Sequence, residues 1–423
     1  MKRTSVGAVF LTVVVDLIGF GIVLPLLPLY AERLHATGEE IGLLFASFSA
    51  MQFLFAPVWG RISDRVGRRP VLLVGLAGSV VFYTLFGLAD SVAMLFVARI
   101  GAGICGATIS VSNAYIADVT PPEQRARGMA LIGAAFGIGF TVGPPLGFLA
   151  MHEGEVLYAA GFAPASLARG MPGFLAAAIS LVSFLWTLAS VGEPERHRAT
   201  ERRLLDLSAI RKARSAGQLE ALLLLHLLSV FAFSNFESTL SLMLDDRFSL
   251  SRKEMGLVFL FVGVMLAFAQ GFLVRRLMTH LDERTMIRGG FVLMFAGLVG
   301  LSLCTTLVGL HVALAVSVGG FGAVTPSLSS LISKQGDAAS HGAMMGLAAS
   351  ASALGRIFGP FVGNVIYAPE GQRATELGRI VEPLFGELAH HQRPYVLGAA
   401  LTAVLAVASL LLVRAAAGGG AGG

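Results

Sequence analysis

The chain has 423 residues, 55% of them hydrophobic and only 13% charged, where a soluble domain carries about 25% charged residues. That composition describes an integral membrane protein. It leaves no soluble basic domain to bind nucleic acid with the net charge of +5, no Gly-x-x-x-x-Gly-Lys-Ser/Thr loop to hold ATP, and only two cysteines, too few for a disulfide framework or a Cys metal site.

Apolar runs fall near 7–30, 41–59, 70–89, 92–117, 128–151, 171–191, 218–244, 255–274, 286–305, 308–332, 343–367 and 394–413. Each is close to the length of about 20 residues that a spanning helix needs. They lack the alternation of barrel strands, so twelve transmembrane helices are expected. Lys2 and Arg3 precede the first run, which is too long for a signal-peptide core and reads as a retained helix. Basic residues then cluster on one side of the membrane, at Arg61, Arg65, Arg68 and Arg69, at Arg196–Arg203 and at Arg211–Arg214. The other side has scattered ones such as Arg33, Arg169, Arg247 and Arg252. The bias places both termini in the cytoplasm. The cysteines, Cys105 and Cys304, fall within spans 4 and 9 and read as small buried residues.

Between the second and third runs stands Gly60-Arg61-Ile62-Ser63-Asp64-Arg65-Val66-Gly67-Arg68-Arg69. Glycines let a chain turn tightly, and four of the five charges here are positive, as in a short cytoplasmic loop. This Gly-x-x-x-Asp-Arg-x-Gly-Arg-Arg pattern resembles the signature loop between helices 2 and 3 of the major facilitator superfamily. The resemblance covers nearly the whole chain. It implies an all-α integral membrane fold of twelve transmembrane helices in two pseudo-symmetric six-helix bundles, working as a secondary transporter. It also implies a gate made of Gly60, Asp64, Arg65, Gly67, Arg68 and Arg69. Asp64 would sit at a helix N-terminus, where the dipole favours a carboxylate, and face the opposite half. Arg65 would pair with Asp118 at the end of span 4.

The two halves repeat. Glu32-Arg33 and Glu40-Ile41-Gly42-Leu43-Leu44-Phe45 match Asp246-Arg247 and Glu254-Met255-Gly256-Leu257-Val258-Phe259 at an offset of 214 residues. Gly143-Pro144 and Gly147 match Gly359-Pro360 and Gly363 at 216. The expected organisation is an N-terminal bundle over 1–191, a polar cytoplasmic linker over 192–217, a C-terminal bundle over 218–414 and a flexible tail over 415–423. Parallel repeats place the binding site near the midplane between them. In the second half the signature loop has decayed, and Thr279 stands where Asp64 stands in the first. The loop 368–393 could hold a short surface helix.

Span 1 carries Asp16 in an Asp-x-x-Gly-x-Gly-x-x-x-Pro-x-x-Pro run similar to helix 1 of the drug:proton antiporters, notably the bacterial tetracycline exporters. A carboxylate held in hydrocarbon can load and release protons near neutral pH, and the bland alternative is a polar bond at the cytoplasmic side. Arg99 in span 4 costs about 2.5–3.5 kcal/mol on insertion scales, so a partner or a wet cavity is expected. The resemblance implies a role in proton transfer, although Ala102 replaces the family's usual glutamine, and the alternative is a structural buried arginine near the outer end. Span 5 presents Gly133, Gly137, Gly139, Gly143, Pro144 and Gly147, whose spacing gives a close-packing face. The same run resembles the antiporter pattern of the family, with Phe148 in place of its last glycine. Glu237, with Asn235, in span 7 is a second candidate proton or substrate site, and an outer-vestibule hydrogen bond is the equal alternative. Asn113 joins them as a polar candidate in span 4. Arg356 reads as structural, and His226 and His311 as helix-end residues outside any proton relay.

The expected function is a proton-coupled antiporter exporting a lipophilic or amphipathic solute. The alternative is a symporter or facilitator importing a sugar or other metabolite. A receptor or intramembrane enzyme finds no support, because no nucleophile, base or metal cluster converges. Spans 8 and 9 offer no His or Asp, and Phe82 lies where the tetracycline exporters suggest an acid, which argues against tetracycline as substrate. The expected partners are the solute, protons and the bilayer, with no cofactor beyond the proton gradient and a single chain as the unit.

Overall fold

The computed structural model describes residues 6–120, 125–194, 218–335, 341–368, 376–386 and 388–413. Most of the expected linker, all of the tail 415–423, and Lys2 and Arg3 lie outside them. Twelve helices are long and apolar enough to cross a membrane: α1 (Val6–Arg33), α2 (Gly38–Val66), α3 (Arg68–Gly87), α4 (Val92–Val119), α5 (Ala134–Ala159), α6 (Ala165–Ser190), α7 (Leu219–Asp246), α8 (Arg252–Leu277), α9 (Glu283–Leu303), α10 (Leu307–Ser333), α11 (Met344–Tyr367) and α12 (His390–Leu412). No strand occurs among the described residues. In hydrocarbon each backbone N–H and C=O must be bonded within its own segment, and helices achieve this. The loop after α11 contains the short helix Glu376–Val381.

Local chemistry sets the helix ends. Thr37 and Glu40 form a reciprocal cap on α2: the Glu40 carboxylate accepts from the Thr37 N–H at 2.8 Å, and the Glu40 N–H donates to the Thr37 hydroxyl at 3.2 Å. Ser251 and Glu254 do the same for α8, at 2.8 and 3.4 Å. The repeated glutamate thus has a physical reason, since both copies satisfy the free N–H groups of a helix start. Within α1 a 3-10 turn at Leu24–Leu26 accommodates Pro25, and Pro28 opens the next helical stretch, where a missing N–H costs little.

α5 belongs to a continuous helix, Arg125–Ala159, that carries Pro144 and Pro145 inside it. Its glycines do not share one role. Gly143 packs so tightly on α1 that a Cβ would fall 2.7 Å from Gly21 Cα, and one on Gly139 would fall 2.7 Å from Leu17 Cβ. Gly147 meets the Ile22 carbonyl in the same way. A Cβ on Gly137 would meet nothing within 4 Å. Spacing therefore yields two faces, one against α1 and one open, where a single face was expected.

Packing divides the chain into two compact units. The first joins Met1–Arg202 to Glu237–Ala267 and Pro360–His391. The second comprises Arg203–Phe236, Phe268–Gly359 and Gln392–Gly423. The division falls inside α7, α8, α11 and α12. Within the first unit, Phe148 of α5 stacks on Phe259 of α8 at 5.5 Å. Gly42 of α2 meets Phe361 of α11 backbone to backbone. Glu155 of α5 bonds Arg33 of α1 at 2.9 Å and approaches Arg252 of α8 at 3.8 Å. Within the second unit, Phe233 stacks on Phe321 at 3.8 Å, and Gln392 donates to the Ser302 carbonyl at 2.9 Å.

Candidate proton site and signature loop

Asp16 lies in the middle of α1, half-buried, with its Oδ1 sealed from solvent and without a protein partner. The Ser79 hydroxyl of α3 lies beside the carboxylate. One turn along α1, a Cβ on Gly19 would lie 3.4 Å from the Tyr83 ring of α3 and 3.4 Å from the Ser180 hydroxyl of α6. Ser180 Oγ is also buried without a partner. Tyr83 is within electrostatic reach of both Asp16 and Arg99, and Cys105 of α4 feels Asp16 as well. Helices α1, α3, α4 and α6 thus enclose one polar interior inside the first unit.

Arg99 enters that interior from α4 and is only 1% exposed. Its guanidinium sits 4.4 Å above the Phe48 ring, and Nε donates to the Leu44 carbonyl at 3.4 Å. Nη1 has no protein partner. A ring face and a carbonyl stabilise the cation, where a carboxylate would have been the simpler expectation. Phe82 packs its ring over Gly101, so this position fills space. The polar contribution of α3 comes from its neighbour Tyr83 and from Ser79, which sequence reasoning passed over because each is a single hydroxyl in an apolar run.

The remaining candidates do not join this cluster. Asn113 is half-buried on α4 and makes no side-chain hydrogen bond among the described residues. Asn235 is fully buried on α7 and Glu237 half-buried; two residues apart, they point to different faces of the helix. His226 is not a helix-end residue: it is 3% exposed inside α7 and bonds the Ser352 hydroxyl of α11 at 2.7 Å. Arg356 is exposed on α11.

The signature loop is shorter than its sequence suggests. Gly60 to Val66 belong to the last turns of α2, and α3 begins at Arg68, so Gly67 alone makes the turn, at φ +120°. That conformation favours glycine. Asp64 is therefore at the end of α2, where it pairs with Arg68 at 2.7 Å. Arg68 also bonds Asp118 at 2.9 Å and donates to the Ser63 hydroxyl at 2.6 Å. The expected Arg65–Asp118 pair is not formed; Arg65 is exposed and has no ion pair among the described residues. The one-residue turn rotates Arg68, not Arg65, toward α4. A Cβ on Gly60 would meet nothing within 4 Å, so packing does not require a glycine there.

The carboxylate at the N-terminus of α3 is Glu193, just past α6, and not Asp64. Its two oxygens accept from the backbone N–H groups of Arg68 at 2.6 Å and Arg69 at 2.9 Å. Tyr115 of α4 donates to the Gly192 carbonyl at 2.8 Å, and Arg69 to the Leu188 carbonyl at 2.9 Å. The loop is thereby tied to α4 and to the end of α6. Glu193→Ala is expected to cost about 1 kcal/mol of thermal stability, the usual worth of an N-cap, whereas Arg65→Ala leaves the melting midpoint unchanged. A melting curve of each variant in detergent checks this.

Comparison with known proteins agrees with this architecture. The family model described as Major Facilitator Superfamily matches residues 9–360. The tetracycline resistance protein, class C, of Escherichia coli is 32% identical over 386 residues, covering 90% of this chain and 94% of its own. Multidrug resistance protein 1 of Bacillus subtilis (strain 168) is 26% identical over 373 residues, covering 86% and 90%. The crystal structure of the human organic anion transporter MFSD10 aligns with a TM-score of 0.63 at 27% identity, covering 96% of this chain and 98% of its own. Members of such a family are generally transporters and not enzymes. Twelve spans, the Gly67 turn with its Arg68–Asp118 pair and these matches together make the chain an integral, multi-pass membrane protein that belongs to the Major Facilitator Superfamily.

Proposed function

We propose that the chain is a proton-coupled antiporter that exports a lipophilic or amphipathic small molecule by alternating access. The observation that carries this reading is Asp16: a carboxylate in the middle of a span, with one oxygen sealed off, Ser79 beside it and Tyr83 within electrostatic reach. Relatives named for tetracycline and multidrug resistance support export. The likeness to an organic anion transporter keeps the substrate class broad.

In this mechanism Asp16 takes up a proton when its site opens to the acidic side. Ser79 and Tyr83 orient the carboxyl, and Arg99 tunes it through Tyr83, which feels both groups. Glu237 is the second candidate carboxylate for proton or solute, and Asn235 and Asn113 are further polar candidates. The turn of Asp64, Arg65, Gly67, Arg68, Arg69 and Asp118 holds one side closed while the other opens. The tight α1–α5 crossing at Gly139, Gly143, Pro144 and Gly147 moves as one body. Each 100 mV supplies about 2.3 kcal/mol per charge moved, and each pH unit about 1.4 kcal/mol per proton. The cycle uses protons and a bilayer, no metal or organic cofactor, and one chain. The assigned setting is a bacterial inner membrane with both termini in the cytoplasm, and the excess of basic residues around Arg61–Arg69 supports a cytoplasmic face there.

The test is flux in proteoliposomes under an imposed pH gradient, with tetracycline, an amphipathic cationic dye and an amphipathic organic anion as probes. Movement of at least one probe against the proton flow supports antiport. Movement of every transported probe with the proton flow supports the importing alternative and overturns the reading.

A further inference from the structure

The turn after α8 is the second-half counterpart of the signature loop, and its charges are balanced differently. In the first half Arg68 is held by Asp64 and Asp118. In the second half Thr279 replaces the aspartate, and its hydroxyl turns back to donate to the Arg276 carbonyl at 2.6 Å. The two acids that follow are engaged elsewhere. Asp282 accepts from Thr285 at 3.1 Å, and its hydroxyl and backbone bonds from that residue hold the carboxyl below its ordinary range. Glu283 accepts from Ser330 at 3.1 Å and pairs with Lys334. Arg275 and Arg276 are exposed and meet no carboxylate among the described residues.

Together with His280, those two arginines line a cleft of about 420 Å³, completed by Gly271, Phe272 and Thr279. The cleft sits at the end of a span, because α8 finishes at Leu277. Its helix is locally widened by a π turn over Ala269–Leu273, a feature that recurs at functional sites. Phe268 and Phe272 stack there at 5.3 Å, and both are about half exposed. Phe268 lies one turn farther from the cationic end, toward the middle of the span.

Cationic groups at headgroup depth, with an aromatic pair leading into the hydrocarbon, fit a ligand that is anionic at one end and apolar at the other. A soluble anion would use the guanidinium groups and leave the exposed ring pair uncovered. We propose that this cleft binds the headgroup phosphate of an anionic phospholipid, with Arg275, Arg276 and His280 around the phosphate and the acyl chains over Phe272 and Phe268. The inference concerns the second unit alone and does not depend on the direction or coupling of transport.

The experiment is native mass spectrometry of the full chain in detergent, titrated with phosphatidylglycerol, phosphatidylcholine or inorganic phosphate. Phosphatidylglycerol is expected to bind more tightly than phosphatidylcholine and to resist excess inorganic phosphate. An Arg275→Gln, Arg276→Gln double variant is expected to weaken it roughly 30-fold, from the usual worth of two basic residues at a membrane surface. Thr279→Asp, which restores the acid of the first-half turn, keeps both arginines and is expected to weaken binding in the same direction. Unchanged phosphatidylglycerol affinity in both the double variant and Thr279→Asp would overturn the proposal. So would displacement by inorganic phosphate, which would make this a soluble-anion site.

Discussion

Asp16→Asn is expected to abolish pH-driven accumulation while leaving the chain folded and able to bind its solute. Exchange of one proton per solute lets a gradient of two pH units sustain a concentration ratio of about 100, since each unit is worth about 1.4 kcal/mol. Asparagine keeps the size of the side chain and its place beside Ser79, yet cannot carry the proton. The ratio should fall to about 1, the value at which solute merely equilibrates. Tyr83→Phe is the companion variant. It keeps Asp16 and removes the hydroxyl that feels both Asp16 and Arg99, so transport should persist with a displaced pH profile. Full pH-driven accumulation in the combined Asp16→Asn, Glu237→Gln chain would leave the mechanism without a proton carrier. Flux assays on vesicles of matched protein content give all three results.

Gly143→Leu carries the largest expected effect on the fold. A Cβ there would already lie 2.7 Å from Gly21 Cα and 2.8 Å from the Ile18 carbonyl. Both are backbone, so no side-chain rotation relieves the clash, and α1 must separate from α5. Overpacking of this kind costs typically about 1–3 kcal/mol, occasionally more. Leucine on the same helix at Gly137 meets nothing within 4 Å at its Cβ and has the better helix propensity, by somewhat under about 1 kcal/mol. Gly137→Leu should therefore remain monodisperse on size exclusion and retain its melting midpoint, whereas Gly143→Leu aggregates or melts early. Equal behaviour of the two variants would mean that the α1–α5 crossing is not as close as described.

These contrasts mark how far the sequence could be read. Twelve spans were legible because hydropathy reports the solvent of each segment directly. The repeat was legible too, through Glu40 and Glu254, because a cap is local and the Thr37 and Ser251 partners lie three residues away. Contacts distant in the chain were not. Glu193 caps α3 from 125 residues away, and no periodicity announces that. The choice of Arg68 over Arg65 as partner of Asp118 depends on α2 running to Val66 and on a turn of one residue. Four-residue spacing along α5 suggested one glycine face, yet Gly137 opens away from the face that Gly139 and Gly143 present to α1. Asp16 and Arg99 were singled out as charges in apolar runs, while Tyr83, the group that feels both, looked like one more aromatic. His226 was set aside as a helix-end residue, and only the three-dimensional packing reveals its bond to Ser352.

The coupling of solute binding to the protonation of Asp16 is tested most directly by proton release on binding. Purified chain in weakly buffered detergent solution is mixed with the solute identified by the flux panel, and a pH dye records the change. Linkage requires that a solute favouring ionised Asp16 expel up to about one proton per chain. The account predicts such a release near neutral pH and its disappearance in Asp16→Asn. Saturable solute binding with no proton release at any pH, or an undiminished release from Asp16→Asn, would contradict it.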